Sequence, residues 1–230
     1  MIYLRGVTRR QSVATSSWRA DESESKKSRR PAYDVSKRAL DLVFGASLIA
    51  LLSPFFLTIA ILVRASGPGP VLFRQRRLRQ GGRQFRCLKF RTMVQNAEEV
   101  LRSRPELQKE FQESFKLKDD PRITRVGKLL RKSSLDELPQ LFNVLAGDLS
   151  LIGPRPIVPE ELDKYGACAE KFLSVKPGLG GMWQVFGRND TTYEDRIRLD
   201  MDYVDRRSIR LDIWLLFMTA YAVMRRKGAY

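Results

Sequence analysis

Residues 131–156, RKSSLDELPQLFNVLAGDLSLIGPRP, decide how this chain is read. Leu138, Leu141, Phe142 and Leu145 fall at i, i+3, i+4 and i+7, the apolar stripe of a helix. Two adjacent carboxylates, Asp136 and Glu137, therefore lie in or just before a first helical turn. Two starts fit. Ser134 can be the N-cap with Glu137 reaching back as a capping box. Alternatively Asp136 caps, and Pro139 takes the third helical position, where its missing N–H costs nothing. In either case free backbone N–H groups and the positive helix end lie beside two acids, in a run that also holds Arg131, Lys132 and Arg155. That neighbourhood suits phosphate groups and a divalent cation. Acids at a helix start are also ordinary capping chemistry, so the flanking sequence has to decide.

Immediately upstream, in KDDPRITRVGKLLRK (118–132), Asp119-Asp120-Pro121 reads as a turn or helix start. Ile123, Val126 and Leu130 form a buried stripe, with Arg122, Arg125, Lys128 and Arg131 outside it and leading into the acid pair. Downstream, Gly147-Asp148 ends the helix. Pro154 and Pro156 then clamp Arg155 in a stiff extended loop, which suits bidentate phosphate recognition. KPGLGGMWQVFGRND (176–190) is a Gly-rich loop around Trp183 that ends at Arg188. Its glycines allow backbone to approach a ligand, although a Gly-rich surface turn is the commoner case. Further upstream, VLFRQRRL and QFRCLKFRTM flank Gly81-Gly82 and read as a β-hairpin. On its second strand Lys89 and Arg91 share a face by the period of two, able to hold one anionic group or simply to be solvated.

Residues 39–63, ALDLVFGASLIALLSPFFLTIAILV, are apolar nearly throughout and long enough to cross a bilayer. Two features argue for a re-entrant helix–break–helix over a straight span. Ser53-Pro54 falls mid-stretch, where proline breaks the ladder, and residues 39–53 alone would reach only about 22 Å of a roughly 30 Å core. Lys/Arg residues also crowd both flanks: Lys26, Lys27, Arg29, Arg30, Lys37 and Arg38 before, and Arg64, Arg74, Arg76, Arg77 and Arg79 after, which places both ends on the cytoplasmic face. Residues 1–36 read as a disordered basic tail with no early apolar run of signal-peptide length. Residues 94–118 have mixed charge and helical spacing. Residues 211–224, LDIWLLFMTAYAVM, are too short to span and read as a helix lying on the membrane or in the core, followed by Arg225, Arg226 and Lys227.

The expected organisation is thus a tail over 1–36, a re-entrant membrane anchor over 37–66, and a catalytic domain over 67–230. The fold class is α+β and mainly helical, with a small β-hairpin and interfacial amphipathic helices. The 230 residues carry a net charge of +16, which calls for a polyanionic partner such as nucleic acid, anionic lipid or a phosphorylated substrate. The absence of histidine excludes Ser-His-Asp and Cys-His catalysis, and two cysteines make neither a zinc set nor a disulfide framework.

KRALDLVFGASLIALLSPFFL, FRCLKFRTM, DDPRITRVGKLLRKSSLDELPQLFNVLAGDLSLIGPRP and KPGLGGMWQVFGRND resemble, in order and spacing, the bacterial monotopic phosphoglycosyl transferases. The resemblance runs from Lys37 to about Tyr230 and is nearest to the short forms that initiate succinoglycan-type exopolysaccharides. It implies transfer of hexose-1-phosphate, galactose or glucose, from a UDP-hexose to undecaprenyl phosphate, with release of UMP, at the cytoplasmic face of the bacterial inner membrane. It makes Asp136 the nucleophile of a ping-pong reaction through a covalent phospho-sugar, Glu137 its partner acid, and Mg2+ the cation the two would hold. Lys89, Arg91, Arg131, Arg155 and Arg188 become substrate-binding residues, and Ser53 and Pro54 the helix break. Gly180, where many members have Thr, and Phe186, where Ser or Asn is common, depart from the pattern in the loop expected to sense nucleotide or sugar. Nucleic acid is not an expected partner, and a homo-oligomer is left open. The rivals are a basic membrane-tethered polyanion-binding module, which leaves the paired acids unexplained, and a UDP-sugar hydrolase using water as acceptor.

Overall fold

The computed structural model describes residues 30–114, 117, 120–187 and 191–224. The tail over 1–29 and the basic residues after 224 lie outside the described residues. The first helix, α1 (Pro31–Ala65), opens with proline in its first turn, where the missing N–H is harmless. Residues 31–36, expected in the tail, therefore belong to the helix. The two pieces expected on either side of Ser53-Pro54 form one 35-residue element. Pro54 has no N–H to offer the Ala50 carbonyl, and the Ser53 hydroxyl donates to that oxygen instead, at 2.9 Å.

One stripe of α1 rests on the rest of the protein along its whole length. Lys37, Arg38, Asp41 and Gly45 lie on it, then Leu48, Ile49, Phe56, Ile59 and Val63, at helical spacing. The other faces are apolar and open: Leu51 is 72% exposed, Leu57 64% and Ile61 60%. An apolar surface of this extent is stable only against lipid or protein.

The chain then forms the expected antiparallel hairpin, β1 (Leu72–Leu78) with β2 (Gln84–Phe90), register Arg77 opposite Phe85. Gly81 and Gly82 supply its turn at φ 76° and 74°, a region open to glycine at little cost. Short helices α2 (Ala97–Arg102) and α3 (Pro105–Ser114) follow. Helix α4 (Arg125–Ser133) starts at Thr124, whose hydroxyl accepts from the Gly127 N–H at 2.9 Å. Arg122 is not outside the stripe as expected. It is buried, 2.7 Å from Asp120 in an ion pair.

Helix α5 (Gln140–Ala146) ends in Gly147 at φ 87°, as its sequence suggested. The Gly-rich segment was expected as a loop but contributes β4 (Gly178–Gly180), which pairs in parallel with β3 (Ser150–Ile152). Its glycines allow backbone to meet backbone: a Cβ on Gly178 would lie 2.0 Å from Gly153 N, and one on Gly181 2.2 Å from Gly153 O. A 3-10 stretch (Pro159–Cys168), α6 (Ala169–Leu173), α7 (Met182–Phe186), α8 (Tyr193–Arg206) and α9 (Ile209–Met224) complete the described chain. Leu141, Val144, Leu149, Ile152, Ile157, Tyr203 and Leu215 centre the main core, and Ile59, Val63, Phe90 and Leu130 form a second cluster between α1, β2 and α4. The protein is mainly helical with two small sheets among the described residues.

Candidate active site

The acid pair is presented by a chain reversal. Helix α4 ends at Ser134, whose φ of 57° makes it the one non-glycine residue in the left-handed region among the described residues. Neither expected helix start occurs. Ser134 closes α4 and makes no side-chain cap, and Asp136 and Glu137 occupy a separate 3-10 turn, Leu135–Glu137, ahead of α5. The reversal brings Arg131, at the end of α4, back beside Asp136. Thr92 accepts from Arg131 Nε at 2.9 Å and holds it there.

The two neighbouring acids have opposite surroundings. Lys89 Nζ lies 2.7 Å from Glu137 Oε1 and donates to it, and Arg155 Nη2 donates to the same oxygen at 3.3 Å. Burial alone would push the Glu137 carboxyl up, but Arg155 and Lys89 reverse this and bring it down to about 2. Asp136 is 9% exposed and forms no ion pair among the described residues. Burial pushes its carboxyl up to about 6, helped by the charge of Glu137 and opposed by Lys89 and Arg131. Glu137 is thus a fixed, engaged anion. Asp136 is a carboxylate at neutral pH that is held among cations without being neutralised by any of them.

Arg155 reaches Glu137 from the loop after β3, with its guanidinium carbon 5.5 Å from the centre of the Trp183 ring. The structure therefore brings Lys89, Arg131 and Arg155 to the acid pair. Arg91 is directed elsewhere. It is 8% exposed and donates to the carbonyls of Val63 at 2.9 Å and Gly67 at 2.7 Å, and also to that of Pro68. It caps the C-terminal end of α1, where a helix leaves carbonyls unpaired and favours positive charge. Strand alternation placed Arg91 on the face of Lys89, but β2 ends at Phe90 and the alternation ends with it. Arg188 lies outside the described residues.

Four residues around the site were not singled out from sequence. Arg77 donates to the Pro156 carbonyl at 3.0 Å. Cys87 and Gln140 line the small cavity between Lys89, Glu137 and Arg155. Asn143 ties α5 to β2 by accepting from the Leu88 N–H and donating to the Arg86 carbonyl, both at 2.9 Å. Arg77 and Cys87 were within reach of a strand-periodicity argument, because they fall on the strand faces turned towards the site. Gln140 and Asn143 give no such signal, since a buried amide looks in sequence like a polar residue at a helix surface.

Asp136 and Glu137 fit Mg2+ in one mode only. No group of three or more His, Cys, Asp or Glu residues converges among the described residues, so an all-protein cage is absent there. Mg2+ is commonly held by one or two carboxylates plus substrate phosphates, and an unpaired Asp136 next to Glu137, whose cationic partners both fall on Oε1, matches that donor set.

A long, largely exposed apolar helix thus packs against a small α+β body that holds a split pair of acids in a cationic pocket. The chain belongs to the bacterial sugar transferases, whose family model matches residues 32–226. It is 48% identical over 198 residues to the UDP-galactose-lipid carrier transferase of Erwinia amylovora and 46% over 198 residues to the undecaprenyl-phosphate galactose phosphotransferase of Salmonella typhimurium. Each alignment covers 84% of this chain and 41% of the relative. The exopolysaccharide production protein ExoY of Sinorhizobium fredii is 43% identical over 205 residues, with 87% of this chain and 91% of the relative covered. The chain therefore spans about two fifths of the length of the first two relatives and nearly all of the third.

Proposed function

We propose that this protein transfers hexose-1-phosphate from a UDP-hexose to undecaprenyl phosphate, releasing UMP, as the first membrane step of exopolysaccharide synthesis, with galactose or glucose as the sugar. The observation that carries the reading is the unequal pair: Glu137 engaged by Lys89 and Arg155, and Asp136 left unpaired beside them. The substrates come from the names of the relatives.

Asp136, ionised at neutral pH, attacks the β-phosphorus of the UDP-hexose. A carboxyl–phosphorus bond forms, the phosphorus–oxygen bond to UMP breaks, and the sugar phosphate stays on Asp136. An oxygen of undecaprenyl phosphate then attacks the same phosphorus and returns the Asp136 carboxylate. Lys89, Arg131 and Arg155 offset the repulsion between carboxylate and phosphate in both steps. Bound Mg2+, held by Asp136 and Glu137 with the substrate, would supply further positive charge to the diphosphate.

The lipid acceptor cannot leave the bilayer, so the acid pair has to be near headgroup depth at the cytoplasmic face of the inner membrane. The contact stripe of α1 supports a shallow, re-entrant placement. It runs from Lys37 to Val63, and no run approaching the roughly 20 residues of a full span is free of the protein body. Trp214, Phe217 and Tyr221 on α9 are 45%, 70% and 43% exposed and suit the same interface.

The purified protein with UDP-galactose or UDP-glucose and Mg2+ should release UMP over many turnovers only when undecaprenyl phosphate is present in excess of enzyme. A stoichiometric burst should appear without lipid. Sustained UMP release without lipid would instead identify a UDP-sugar hydrolase, and none under any condition a polyanion-binding module. Arg30→Cys and Gln80→Cys should both be shielded from a periplasmic thiol reagent in intact cells, and labelling at position 30 alone would restore a straight span.

A further inference from the structure

Helix α5 buries two side-chain amides one turn apart, and their surroundings differ. Asn143 is fully occupied: it accepts from the Leu88 N–H and donates to the Arg86 carbonyl of β2, both at 2.9 Å. Gln140 lies three residues earlier, at the spacing that puts two side chains on one helix face. It is 3% exposed, and its side chain has no hydrogen-bond partner among the described residues. A glutamine amide brings two N–H donors and a carbonyl acceptor. Burying these without partners is costly, and such an exception calls for a cause.

The cause lies in the place Gln140 occupies. Its side chain lines the small cavity closed by Lys89, Glu137 and Arg155. Each charged group on that cavity already has a protein partner. Lys89 and Arg155 donate to Glu137 Oε1 at 2.7 and 3.3 Å, and Arg77 donates to the Pro156 carbonyl at 3.0 Å and to Gln75 Oε1 at 2.8 Å. Gln140 therefore adds donor capacity that no described protein group consumes. It is also uncharged, which matters close to Asp136. A further cation there would compete for Asp136 and mask the nucleophile, whereas an amide can donate to a phosphate oxygen and leave that carboxylate its charge.

We propose that Gln140 is a further catalytic residue, whose side-chain amide donates to a non-bridging oxygen of the β-phosphate of the UDP-hexose as Asp136 attacks the phosphorus. The proposal rests on the transfer reading for its substrate. Burial fixes the donor in advance, so it stabilises the charge on the phosphoryl oxygens without having to reorient during the step.

Gln140→Met keeps the length of the side chain and removes both donors. In the full-length protein it should slow the lipid-independent burst of UMP about a hundredfold, with UDP-galactose and UDP-glucose affected alike because the phosphate is common to both. The melting temperature should stay level or rise, since a buried amide without a protein partner gives way to an apolar chain. In an Asp136→Asn background, where substrate binds but is not consumed, the same change should weaken UDP-hexose binding about tenfold and leave binding of UMP, which lacks the β-phosphate, within about twofold. Gln140→Glu has the same length and no donor at neutral pH. It should slow the burst at least as much, and serves if Gln140→Met folds poorly. A burst within about threefold of the parent in either folded variant overturns the proposal, as does equal weakening of UMP and UDP-hexose. A parent that never releases UMP, but whose UDP-hexose binding still depends on Gln140, would overturn the transfer reading and leave the phosphate contact standing.

Discussion

The pocket around Asp136 and the seam along α1 both bury charge, and they use it in opposite ways. In the seam every buried polar group is matched. Arg38 donates to the Val144 and Leu145 carbonyls at 2.7 and 2.8 Å, and Asp41 Oδ1 accepts from the Ser150 hydroxyl and the Leu151 N–H, both at 2.9 Å. Lys37 lies 3.1 Å from Asp212, which also accepts from Tyr33 at 2.8 Å and Tyr203 at 2.7 Å. In the pocket Glu137 is matched and Asp136 is not. A matched buried charge holds the fold together, whereas an unmatched one costs stability and remains available for chemistry.

Substitutions on the two sides should therefore separate activity from stability. The largest effect belongs to Asp136→Asn. It should lower lipid-dependent UMP release by about a thousandfold or more and abolish sugar-phosphate labelling of the protein, because in the proposed reaction Asp136 is the group that bonds to phosphorus. The same change should stabilise the fold by about 2 kcal/mol at pH 7 to 8. Asp136 has a raised folded-state pKa of about 6, so its ionisation weakens the fold as pH rises from about 4 through 6. The gain from asparagine should then fade below about pH 4, as thermal melts at both pH values would show. Labelling that persists at another residue would transfer the nucleophile's role there.

Asp41→Ala should behave inversely. It leaves the Ser150 hydroxyl and the Leu151 N–H buried without their acceptor, for a loss of about 3 kcal/mol in melts of the nanodisc-embedded protein. UMP release per folded molecule should stay within about threefold of the parent. A large fall in rate without a fall in melting temperature would erase the distinction between seam and pocket. Phe56→Ala is the mildest of the three. The Phe56 ring lies 6.0 Å from that of Phe90 and 5.6 Å from that of Phe142, edge to face with the latter. Its removal should cost about 1–2 kcal/mol, since acyl chains can occupy part of the space. A cost as large as that of Asp41→Ala would make the apolar half of the seam the dominant hold.

The periodic parts of this fold could be read from the sequence. The hairpin, α5 and its glycine stop rest on patterns of two or 3.6 residues and on turn chemistry that acts locally, whereas the apolar helix was read from its unbroken hydropathy and its continuity through Ser53-Pro54 was not expected. The site was legible as far as its charges are close in sequence to the acids or clamped by prolines, as with Arg131 and Arg155. What could not be read depends on where distant segments meet. Arg91 faces away because carbonyls at the end of α1 and just beyond it, 24 to 28 residues earlier, claim it. The parallel pairing of β3 and β4 needs bare glycine at 153, 178 and 181, which in sequence is indistinguishable from an ordinary loop. The capping box at Ser134 failed because the residue adopts the left-handed conformation that closes the preceding helix.

The manner in which Arg38 closes α5 also bears on how such enzymes can be handled. Excising residues before 67 to obtain a detergent-free domain would strip α5 of the guanidinium on its final carbonyls. It would also deprive β3 of its carboxylate and uncover the core that Leu48, Ile49 and Phe56 cover. A water-soluble version would have to be redesigned along that whole edge, because the greasy helix is masonry of the catalytic body rather than its mooring rope.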